Sequence, residues 1–361
     1  MFVKSLKLCD FRNYTELDIK FSKGVNILYG DNAQGKTNIL EAIYLGGTTK
    51  SHKGSKDREI IMMDKPEAHI RLLIDRDGFT HKIDMHLKRS KSKGIAIDGI
   101  PIKKSSELIG LVHMVFFSPE DLSIIKNGPG ERRRFIDMEL CQLDKLYLHN
   151  LTNYNKALNQ RNHLLKQISL NDNLLDTLCI WDIKLVEFGK KIVESRKAFI
   201  DQLNTIIFDI HKRLSGNKEE LFIKYVPNVI ADSFEKKLEE SRTKDIYTKN
   251  TGVGPHRDDI QFLIKGADLR KYGSQGQQRT SALSLKLAEI EMVKRVVGEK
   301  PVLLLDDVLS ELDRNRQNYL LDSIKDIQTI VTCTGLEEFV NNRMVMDQVY
   351  EVINGTVLNQ K

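Results

Sequence analysis

The chain has 361 residues, of which 40% are hydrophobic and 29% are charged. This composition excludes a disordered or fibrous protein, and the length allows two or three domain-sized units with a hydrophobic core. The net charge of +6 permits a nucleic-acid partner without requiring one. No stretch approaches the ~18 apolar residues of a membrane span, and no signal peptide is evident, so we expect a cytoplasmic protein. The cysteines fit no metal-ligand spacing, and we expect them to be small buried residues in a reducing compartment: Cys9, Cys141, Cys179 and Cys333.

The first part of the chain alternates between apolar and polar residues, which predicts β-strands. The segment 24–30 is typical of a buried strand, and it is followed by a helix that we expect to close at Gly46-Gly47. Short strands come next, and the Asp-Gly pairs between them indicate an antiparallel meander.

From about residue 130 the apolar residues recur every three or four positions. Two long stripes, at 147–168 and 174–206, predict a pair of long helices that pack against each other as an antiparallel hairpin. Strand-like segments return after this hairpin, and the last part of the chain alternates between helix and strand.

Gly30, four further residues and then Gly35-Lys36-Thr37 match the phosphate-binding P-loop, in the required context of a buried strand before it and a helix after it. Glycines are needed because backbone N–H groups must close around the phosphate. Lys36 would reach the β- and γ-phosphates, the Thr37 hydroxyl would bind Mg²⁺, and the helix would direct its positive end at the anion. We therefore predict a nucleotide site with these residues: Gly30, Asp31, Asn32, Ala33, Gln34, Gly35, Lys36, Thr37 and Asn38.

A second acidic element follows a run of apolar residues and consists of Asp306 and Asp307. Adjacent carboxylates at the carboxyl end of a buried strand are costly unless a cation or a proton transfer uses them. We expect Asp306 to hold Mg²⁺ together with Thr37, and Asp307 to act with Lys36 in catalysis by directing the attacking water. The alternative is an acidic turn that caps the next helix. The two motifs lie about 270 residues apart, which predicts a nucleotide domain split by an insertion.

The segment from Gly273 to Gln277 is a small polar turn that opens a long helix. The Ser274 hydroxyl and the bare N–H of Gly276 are placed to hold an anion at the helix N-terminus. An ordinary N-cap explains the same residues, and for the turn in isolation it is the preferred interpretation.

The order of P-loop, helical insertion, Ser-Gln-Gly-Gln turn and Asp-Asp strand resembles the ATP-binding-cassette ATPases of the SMC type. More narrowly, the chain is similar to the RecF family, and the matching segments span its length: FRNY (11–14), GDNAQGKTNILEA (30–42), GPGERRRFID (128–137), GVGPHRDD (252–259), GSQGQQR (273–279) and LLLDDVLSELD (303–313). The resemblance implies an α/β fold, an ABC-ATPase head of mixed sheets and helices that is split by a helical hairpin forming a short arm or lid. The expected domains are 1–125 for the first half of the head, 126–245 for the arm and 246–361 for the second half.

The resemblance also implies that ATP and Mg²⁺ are held between two copies of the chain, so that the active form is a homodimer. The turn of one subunit would contact the γ-phosphate on the P-loop of the other, and these residues would act in trans: Ser274, Gln275, Gly276 and Asp313. Arg12 and Asn13 match positions near the nucleotide. Family members bind DNA when ATP is bound and help to load the RecA recombinase at gaps with RecO- and RecR-type partners, in replication, recombinational repair and the SOS response to DNA damage.

The chain departs from the wider cassette family in three places. Many members carry Glu after the Mg²⁺-binding Asp, whereas Asp307 is one methylene shorter, so we expect hydrolysis slower than the ~10 s⁻¹ median of enzymes and suited to a timed clamp. Thr332 or Thr334 occupies the region where many transporters place a switch His. No clear Gln loop is evident, although 116–122 lies in the corresponding place and offers Glu120.

Contacts with DNA phosphates need only charge and reach, so basic runs are the candidates. The predicted contacts, for which a solvated surface is an equal alternative, are Arg132, Arg133, Arg134, Lys103 and Lys104. Since no basic motif is interleaved with aromatic residues, binding to the backbone of a duplex beside a gap fits better than stacking on a single strand. The segment 256–259 is assigned no role.

Three rival functions predict different features. A transporter ATPase would need the switch His and a membrane partner, and a structural chromosome protein would need a longer arm. A P-loop enzyme for a small molecule would be active as a monomer, which the split head disfavours. The alternative that we keep is a P-loop ATPase that acts on a small molecule or serves a complex without DNA.

Overall fold

A computed structural model describes residues 1–168, 172–336 and 346–359. It consists of two compact units, of which the first is formed by 1–121 with 286–361 and the second by 122–285. The unit that carries the P-loop is therefore split in sequence by an insertion, as predicted. The predicted arm, 126–245, lies inside the second unit, which also contains 246–285.

The described residues form strands and helices that we number in chain order. The strands are β1 Phe2–Phe11, β2 Tyr14–Lys20, β3 Val25–Tyr29, β4 Glu67–Arg76, β5 Phe79–Lys88, β6 Gly94–Ile97, β7 Ile100–Pro101, β8 Met114–Phe117, β9 Leu221–Val226, β10 Asp259–Ile264, β11 Ala267–Asp268, β12 Val302–Asp306, β13 Thr329–Cys333, β14 Gln348–Ile353 and β15 Thr356–Asn359. The helices are α1 Lys36–Thr48, α2 Asp57–Ile60, α3 Leu122–Lys126, α4 Pro129–Leu143, α5 Lys145–Ile168, α6 Leu178–Leu214, α7 Phe234–Glu240, α8 Arg242–Thr248, α9 Leu269–Tyr272, α10 Gln275–Val297 and α11 Arg314–Ser323. Among these helices, none combines the length and the apolar character that crossing a bilayer requires.

The first sheet of the first unit is the predicted antiparallel meander, with the strand order β2-β1-β4-β5-β6-β7. Its strands alternate between the two faces because successive side chains of a strand point to opposite sides. In β1, Leu6 and Leu8 are buried while Lys7 and Cys9 are exposed. One face of this sheet therefore belongs to the core and the other face meets solvent.

The second sheet of the first unit is built around parallel strands in the order β14-β3-β13-β12-β8, and β15 pairs with β14 in the antiparallel sense. Strands β12 and β13 are buried along their whole length, as expected for a parallel sheet covered on both faces. Since the carboxyl ends of parallel strands share one edge, the loop after β3 and the Asp306 end of β12 open on the same side, with β13 between them.

Helix α1 does not close at Gly46-Gly47 as predicted, and it continues to Thr48. The glycines serve close packing instead, since a Cβ added to Gly47 would lie 2.6 Å from the methyl carbon of Met114. The next residue, Thr49, caps the helix in a left-handed conformation (φ 67°). The prediction was wrong because the sequence alone does not distinguish a glycine that packs from a glycine that ends a helix.

The second unit contains the predicted pair of long helices, α5 and α6. They run antiparallel, because Tyr147 near the start of α5 contacts Arg196 halfway along α6, whereas Arg161 late in α5 contacts Asp182 near the start of α6. Residues 169–171 of the predicted connection lie outside the described part of the chain. A small sheet in the order β11-β10-β9 completes the unit.

The expectation that the cysteines are buried is only half right. Cys141 and Cys333 are buried, whereas Cys9 and Cys179 are exposed. Cys9 is exposed because its position in β1 belongs to the solvent face of the meander.

Gly189, in the middle of α6, provides a test of packing in the second unit. A Cβ at this position would lie 2.3 Å from a ring carbon of Phe234 and 3.1 Å from the ring of Tyr154. We expect Gly189→Ala to lower the Tm, because the overpacking cost of about 1–3 kcal/mol against rigid rings outweighs the ~1 kcal/mol by which alanine favours a helix.

The matched control is Gly130→Ala in α4, where an added Cβ would meet nothing within 4 Å. This variant should keep or raise the Tm in the same thermal unfolding experiment followed by circular dichroism. Equal Tm values for the two variants would show that the packing of Gly189 against Phe234 and Tyr154 does not limit stability.

Candidate functional site

The loop between β3 and α1 has a backbone that few sequences tolerate. Gly30, Ala33 and Gly35 have φ angles of 148°, 64° and 114°. A Cβ added to Gly30 would lie 2.4 Å from the carbonyl oxygen of Val352, which belongs to the rigid backbone of β14. The loop therefore requires glycine for its conformation and for its close contact with the neighbouring strand.

Lys36 lies at the start of α1 and folds back over this loop. Its ammonium nitrogen Nζ donates to the carbonyl oxygens of Gly30 (2.5 Å) and Asp31 (2.7 Å). Burial lowers the pKa of Lys36 below its ordinary value, and the nearby carboxylate of Asp307 opposes that shift. The positive charge is thus held in the concave side of the loop by carbonyl oxygens, which phosphate oxygens can replace as acceptors.

Thr37 and Asp306 come together at the carboxyl edge of the parallel sheet. The Thr37 hydroxyl donates to Asp306 Oδ1 at 2.8 Å, although the residues are 269 positions apart in the chain. Thr332, at the end of β13, donates its hydroxyl to the same carboxylate oxygen at 2.7 Å. Hydroxyl and carboxylate oxygens are the ligands that Mg²⁺ prefers, so this pair fits the predicted metal role.

Asp307 adopts a left-handed conformation (φ 51°) directly after β12. Its N–H donates to the hydroxyl (3.0 Å) and the carbonyl oxygen (3.2 Å) of Thr332. The Ser310 hydroxyl donates to the carbonyl oxygen of Asp307 at 2.9 Å. Thr332 therefore fixes both acids, a role that the sequence did not reveal even though the residue was noted in the switch region.

Arg12 and Asn13 both lie beside the P-loop. Arg12 makes a two-pronged ion pair with Glu41 of α1, with N···O distances of 2.9 and 3.0 Å. Burial would raise the pKa of Glu41, but hydrogen bonds from Arg12 and Ser51 outweigh it and hold that pKa below its ordinary value. The contact of Arg12 with a nucleotide stays a prediction, and the structure shows that Arg12 braces the P-loop helix.

The tip of the P-loop is held by two further segments. The Asn13 amide donates to the carbonyl oxygen of Gln34 at 3.0 Å and accepts from the Asn38 amide at 2.8 Å. The N–H groups of Asn354 and Gly355 donate to Gln34 from the turn between β14 and β15. An Asn-Gly pair signals a hairpin turn in the sequence, but nothing local to it indicates that it contacts the P-loop.

The Ser-Gln-Gly-Gln turn lies in the second unit and opens α10. The Ser274 hydroxyl accepts from the N–H of Gln277 (3.2 Å), and the Gln277 side chain accepts from the N–H of Ser274 (2.9 Å), so the two residues form a capping box. Gln277 also donates to the carboxylate of Glu219 at 2.8 Å, a partner that the sequence did not indicate. The N-cap interpretation therefore holds, and Ser274, Gln275 and Gly276 remain exposed.

Asp313 also caps a helix. Its carboxylate accepts from the N–H of Arg316 at 3.1 Å at the start of α11, and it pairs with the Arg316 guanidinium at 3.0 Å. Its predicted place near a subunit interface stays a prediction.

The predicted DNA contacts differ in their positions. Arg132 is only 3% exposed and is held in a two-pronged ion pair with Asp259 at 2.6 and 3.1 Å, which makes it unsuited to a DNA contact. Arg133 is partly buried and donates to a backbone carbonyl oxygen at 2.7 Å. Three members of the set are exposed on their respective units: Arg134, Lys103 and Lys104.

The segment 256–259, for which the sequence indicated no role, belongs to a buried polar network of the second unit. Asp258 pairs with Arg196 at 2.8 Å and accepts from the Tyr225 hydroxyl. Arg196 is 2% exposed and also pairs with Asp137 at 2.8 Å. Burial raises the pKa of Asp258 even though Arg196 opposes the shift. This network fixes the base of the α5–α6 hairpin, so we assign the segment a structural role.

His256 in the same segment has a defined tautomer. Its Nε2 lies 2.9 Å from the carbonyl oxygen of Thr251 and its Nδ1 lies 2.7 Å from the hydroxyl of Tyr154. A carbonyl oxygen can only accept, so Nε2 carries the proton and Nδ1 accepts from Tyr154. Burial lowers the pKa of His256 to about 4.

Comparison with known proteins places this arrangement in a family. The sequence matches the RecF/RecN/SMC N terminal domain family over residues 2–357. It is 68% identical to the DNA replication and repair protein RecF of Lachnoclostridium phytofermentans, over 99% of both chains. A solved structure described as the recombination mediator protein RecF-ATP in the RecFOR pathway has a TM-score of 0.93 and 38% identity, and the match covers 100% of this chain and 98% of the other.

A more distant match concerns the fold alone. The Smc head domain with an extended coiled coil from Pyrococcus furiosus has a TM-score of 0.57 at 18% identity, covering 100% of this chain and 96% of the other. The chain therefore has the SMC-like ABC-ATPase fold that its motifs predicted.

The buried imidazole of His256 gives a prediction for stability as a function of pH. Its pKa is about 4 in the folded chain and about 6.5 in the unfolded chain, so the unfolded chain binds more protons between these values. The neutral imidazole contributes up to about 3 kcal/mol to the free energy of unfolding. This contribution is fully present above pH ~6.5 and is lost as the pH falls toward ~4.

The measurement is the Tm of the wild type and of His256→Gln between pH 7 and 5. We expect the two curves to converge as the pH falls, because the variant lacks the titrating group. Parallel curves would contradict a buried neutral His256.

Proposed function

The chain belongs to the RecF/RecN/SMC N terminal domain family and, within it, to the RecF proteins of DNA replication and repair, and on this premise we propose that it is an ATP-dependent DNA-binding ATPase. The observation that carries the proposal is the 2.8 Å hydrogen bond between Thr37 and Asp306, because it joins a P-loop to an acidic strand end. The similar structure whose description includes ATP supports ATP as the nucleotide.

The residues of the first unit fit ATP and Mg²⁺. ATP supplies the phosphoanhydride bond whose cleavage acts as the switch. The loop from Gly30 to Gly35 presents backbone N–H groups to the phosphates, and Lys36 replaces its two carbonyl contacts with phosphate oxygens. Thr37 and Asp306 would hold Mg²⁺.

Asp307 orients the attacking water in this proposal. Its backbone is fixed by two hydrogen bonds to Thr332, so its position at the edge of the sheet is set before any reaction begins. Because its side chain is one methylene shorter than the glutamate of many cassette ATPases, hydrolysis is slow and serves as a timer.

We place the second half of each ATP site on another copy of the chain. Ser274, Gln275 and Gly276 are exposed at the positive N-terminal end of α10, a helix of 23 residues whose first N–H groups can meet a γ-phosphate. One chain thus supplies a P-loop to one site and a turn to the other. The active form is a homodimer with two ATP molecules between the heads.

Mixing two inactive variants tests this arrangement. Asp307→Asn should abolish hydrolysis and leave ATP binding intact. Ser274→Ala should abolish the contact of the turn with the γ-phosphate on the other chain. In an equal mixture about half of the dimers are mixed, and each of these regains one intact site out of two. ATPase activity should therefore recover to about a quarter of the wild-type value.

The control mixture combines Asp307→Asn with Lys36→Ala. Both substitutions affect the half of a site that contains the P-loop, and one chain supplies that whole half. Each site of a mixed dimer is therefore defective, and no recovery is expected. Recovery in both mixtures, or in neither, would contradict a site shared between two chains.

We further propose that the dimer closes on DNA at gaps and helps to load the RecA recombinase with RecO- and RecR-type partners. The description of the similar structure as a recombination mediator in the RecFOR pathway supports this role. The exposed residues Arg134, Lys103 and Lys104 are the proposed phosphate contacts. Arg132 is left out because its guanidinium is buried on Asp259.

The experiment that tests the function is binding to a duplex with a single-stranded gap in ATP, in ADP and without nucleotide, at two salt concentrations. A nucleotide-gated clamp binds only with ATP and weakens steeply as salt rises. Equal binding in all three states would mean that the nucleotide at the P-loop does not control DNA binding. It would favour an ATPase that acts on a small molecule.

Replacing two exposed lysines tests the proposed phosphate-binding surface. Lys103→Ala with Lys104→Ala should weaken DNA binding and reduce the slope of log K against log salt by about 1 for each lysine that binds a phosphate. The control is Lys236→Ala, which removes a lysine whose side chain is 81% exposed in α7. An equal change in both variants would mean that surface charge in general determines binding.

A further inference from the structure

The solvent face of the meander carries a row of side chains that can bind metal. Neighbouring strands pair Glu16 with Cys9, Cys9 with His69, and His69 with His86. Residues directly opposite each other in a sheet project from the same face. Glu67 precedes His69 by two positions in β4 and therefore projects from this face as well.

Three of these side chains converge on one point. The imidazole rings of His69 and His86 are stacked, with centroids 4.0 Å apart and an interplanar angle of 24°. Glu67 contacts both rings: its Oε2 lies 2.8 Å from His86 Nε2, and its Oε1 lies 3.5 Å from His69 Nε2. Within the described residues, this is the group of three such side chains whose ligand atoms all lie within 4.8 Å of one another.

The adjacent row on the same face shows what an ordinary solvated surface does. There, Lys7 pairs with Asp18 at 2.6 Å and Arg71 pairs with Asp84 at 2.5 Å, and Asp84 also lies 3.6 Å from Lys82. In the row of His69 and His86, two imidazoles share one carboxylate. A metal ion is a single partner that both imidazoles and the carboxylate can bind together.

We propose that Glu67, His69 and His86 form a binding site for Zn²⁺. Two histidine nitrogens and one carboxylate are a ligand set that zinc uses in proteins, with a fourth position left for water or another ligand. Imidazole ligands favour zinc over Mg²⁺, which prefers oxygen. The site is independent of the proposed ATP site, whose ligands are the oxygens of Thr37 and Asp306.

The two histidines lie beside a concave surface. The two histidines line a pocket of about 710 Å³ that also includes Cys9, Lys65 and Arg71. Acidic residues line the same pocket, where Asp10 pairs with Lys65 at 3.3 Å and Asp84 pairs with Arg71 at 2.5 Å. A bound ion would also link β4 to β5, since His69 and Glu67 come from one strand and His86 from the other.

Calorimetric titration of the full chain with Zn²⁺, in millimolar Mg²⁺, tests the site. We expect one ion per chain, and we expect His69→Ala and His86→Ala each to weaken binding by at least about tenfold, since even the loss of an outer-shell partner costs that much. The matched control is His81→Ala, which removes another histidine of β5 that is paired with Asp98 at 2.9 Å. This control should bind Zn²⁺ like the wild type.

Two further measurements separate a real site from general zinc binding. X-ray absorption of the zinc complex should show two imidazole ligands and no sulfur, and Cys9→Ser should leave affinity unchanged. ATP binding should persist in the histidine variants, which shows that they are folded. Zinc affinity that persists when both histidines are replaced, or no binding by the wild type, would overturn the proposal.

Discussion

The hydrogen bond between Thr37 and Asp306 depends on one constraint, which is that the carboxyl ends of parallel strands meet at one edge of a sheet. Strand β3 delivers the P-loop to this edge and β12 delivers the acids, with β13 between them. Thr332, at the end of that middle strand, contacts both acids and fixes their spacing. The whole second unit is inserted between the two motifs in sequence without disturbing this geometry, because the sheet and not the chain order sets the distance.

Supporting contacts extend from this edge in two directions within the first unit. Arg12 and Glu41 brace helix α1, and the turn after β14 holds Gln34 at the tip of the loop. Gly30 lies so close to β14 that no side chain fits there. The loop is therefore shaped by its neighbours before a ligand arrives, which is the condition for electrostatic stabilisation without reorganisation.

The sequence predicted the parts of the site that local chemistry requires, namely the P-loop, the Asp-Asp strand end, the polar turn and the helical hairpin. It could not predict contacts between distant segments, such as those of Thr332 with Asp306 or of Gln277 with Glu219, because no local pattern encodes them. It also misjudged residues whose type has two uses. Gly46 and Gly47 permit packing and do not end a helix, and Arg132 forms a buried ion pair although its run of arginines is typical of a surface.

The hydrogen bonds at the start of α10 have a consequence for the entropy of assembly. The capping box of Ser274 and Gln277, together with Glu219, orders the exposed turn in a single chain. Ordering a flexible loop on association costs free energy for each immobilised side chain, and a turn that is already ordered avoids most of that cost. In the proposed dimer, no loop has to fold before the two chains associate. Association would then depend on whether ATP occupies the P-loop. Glu219 lies shortly after the end of α6, so the same carboxylate connects this preorganisation to the base of the arm.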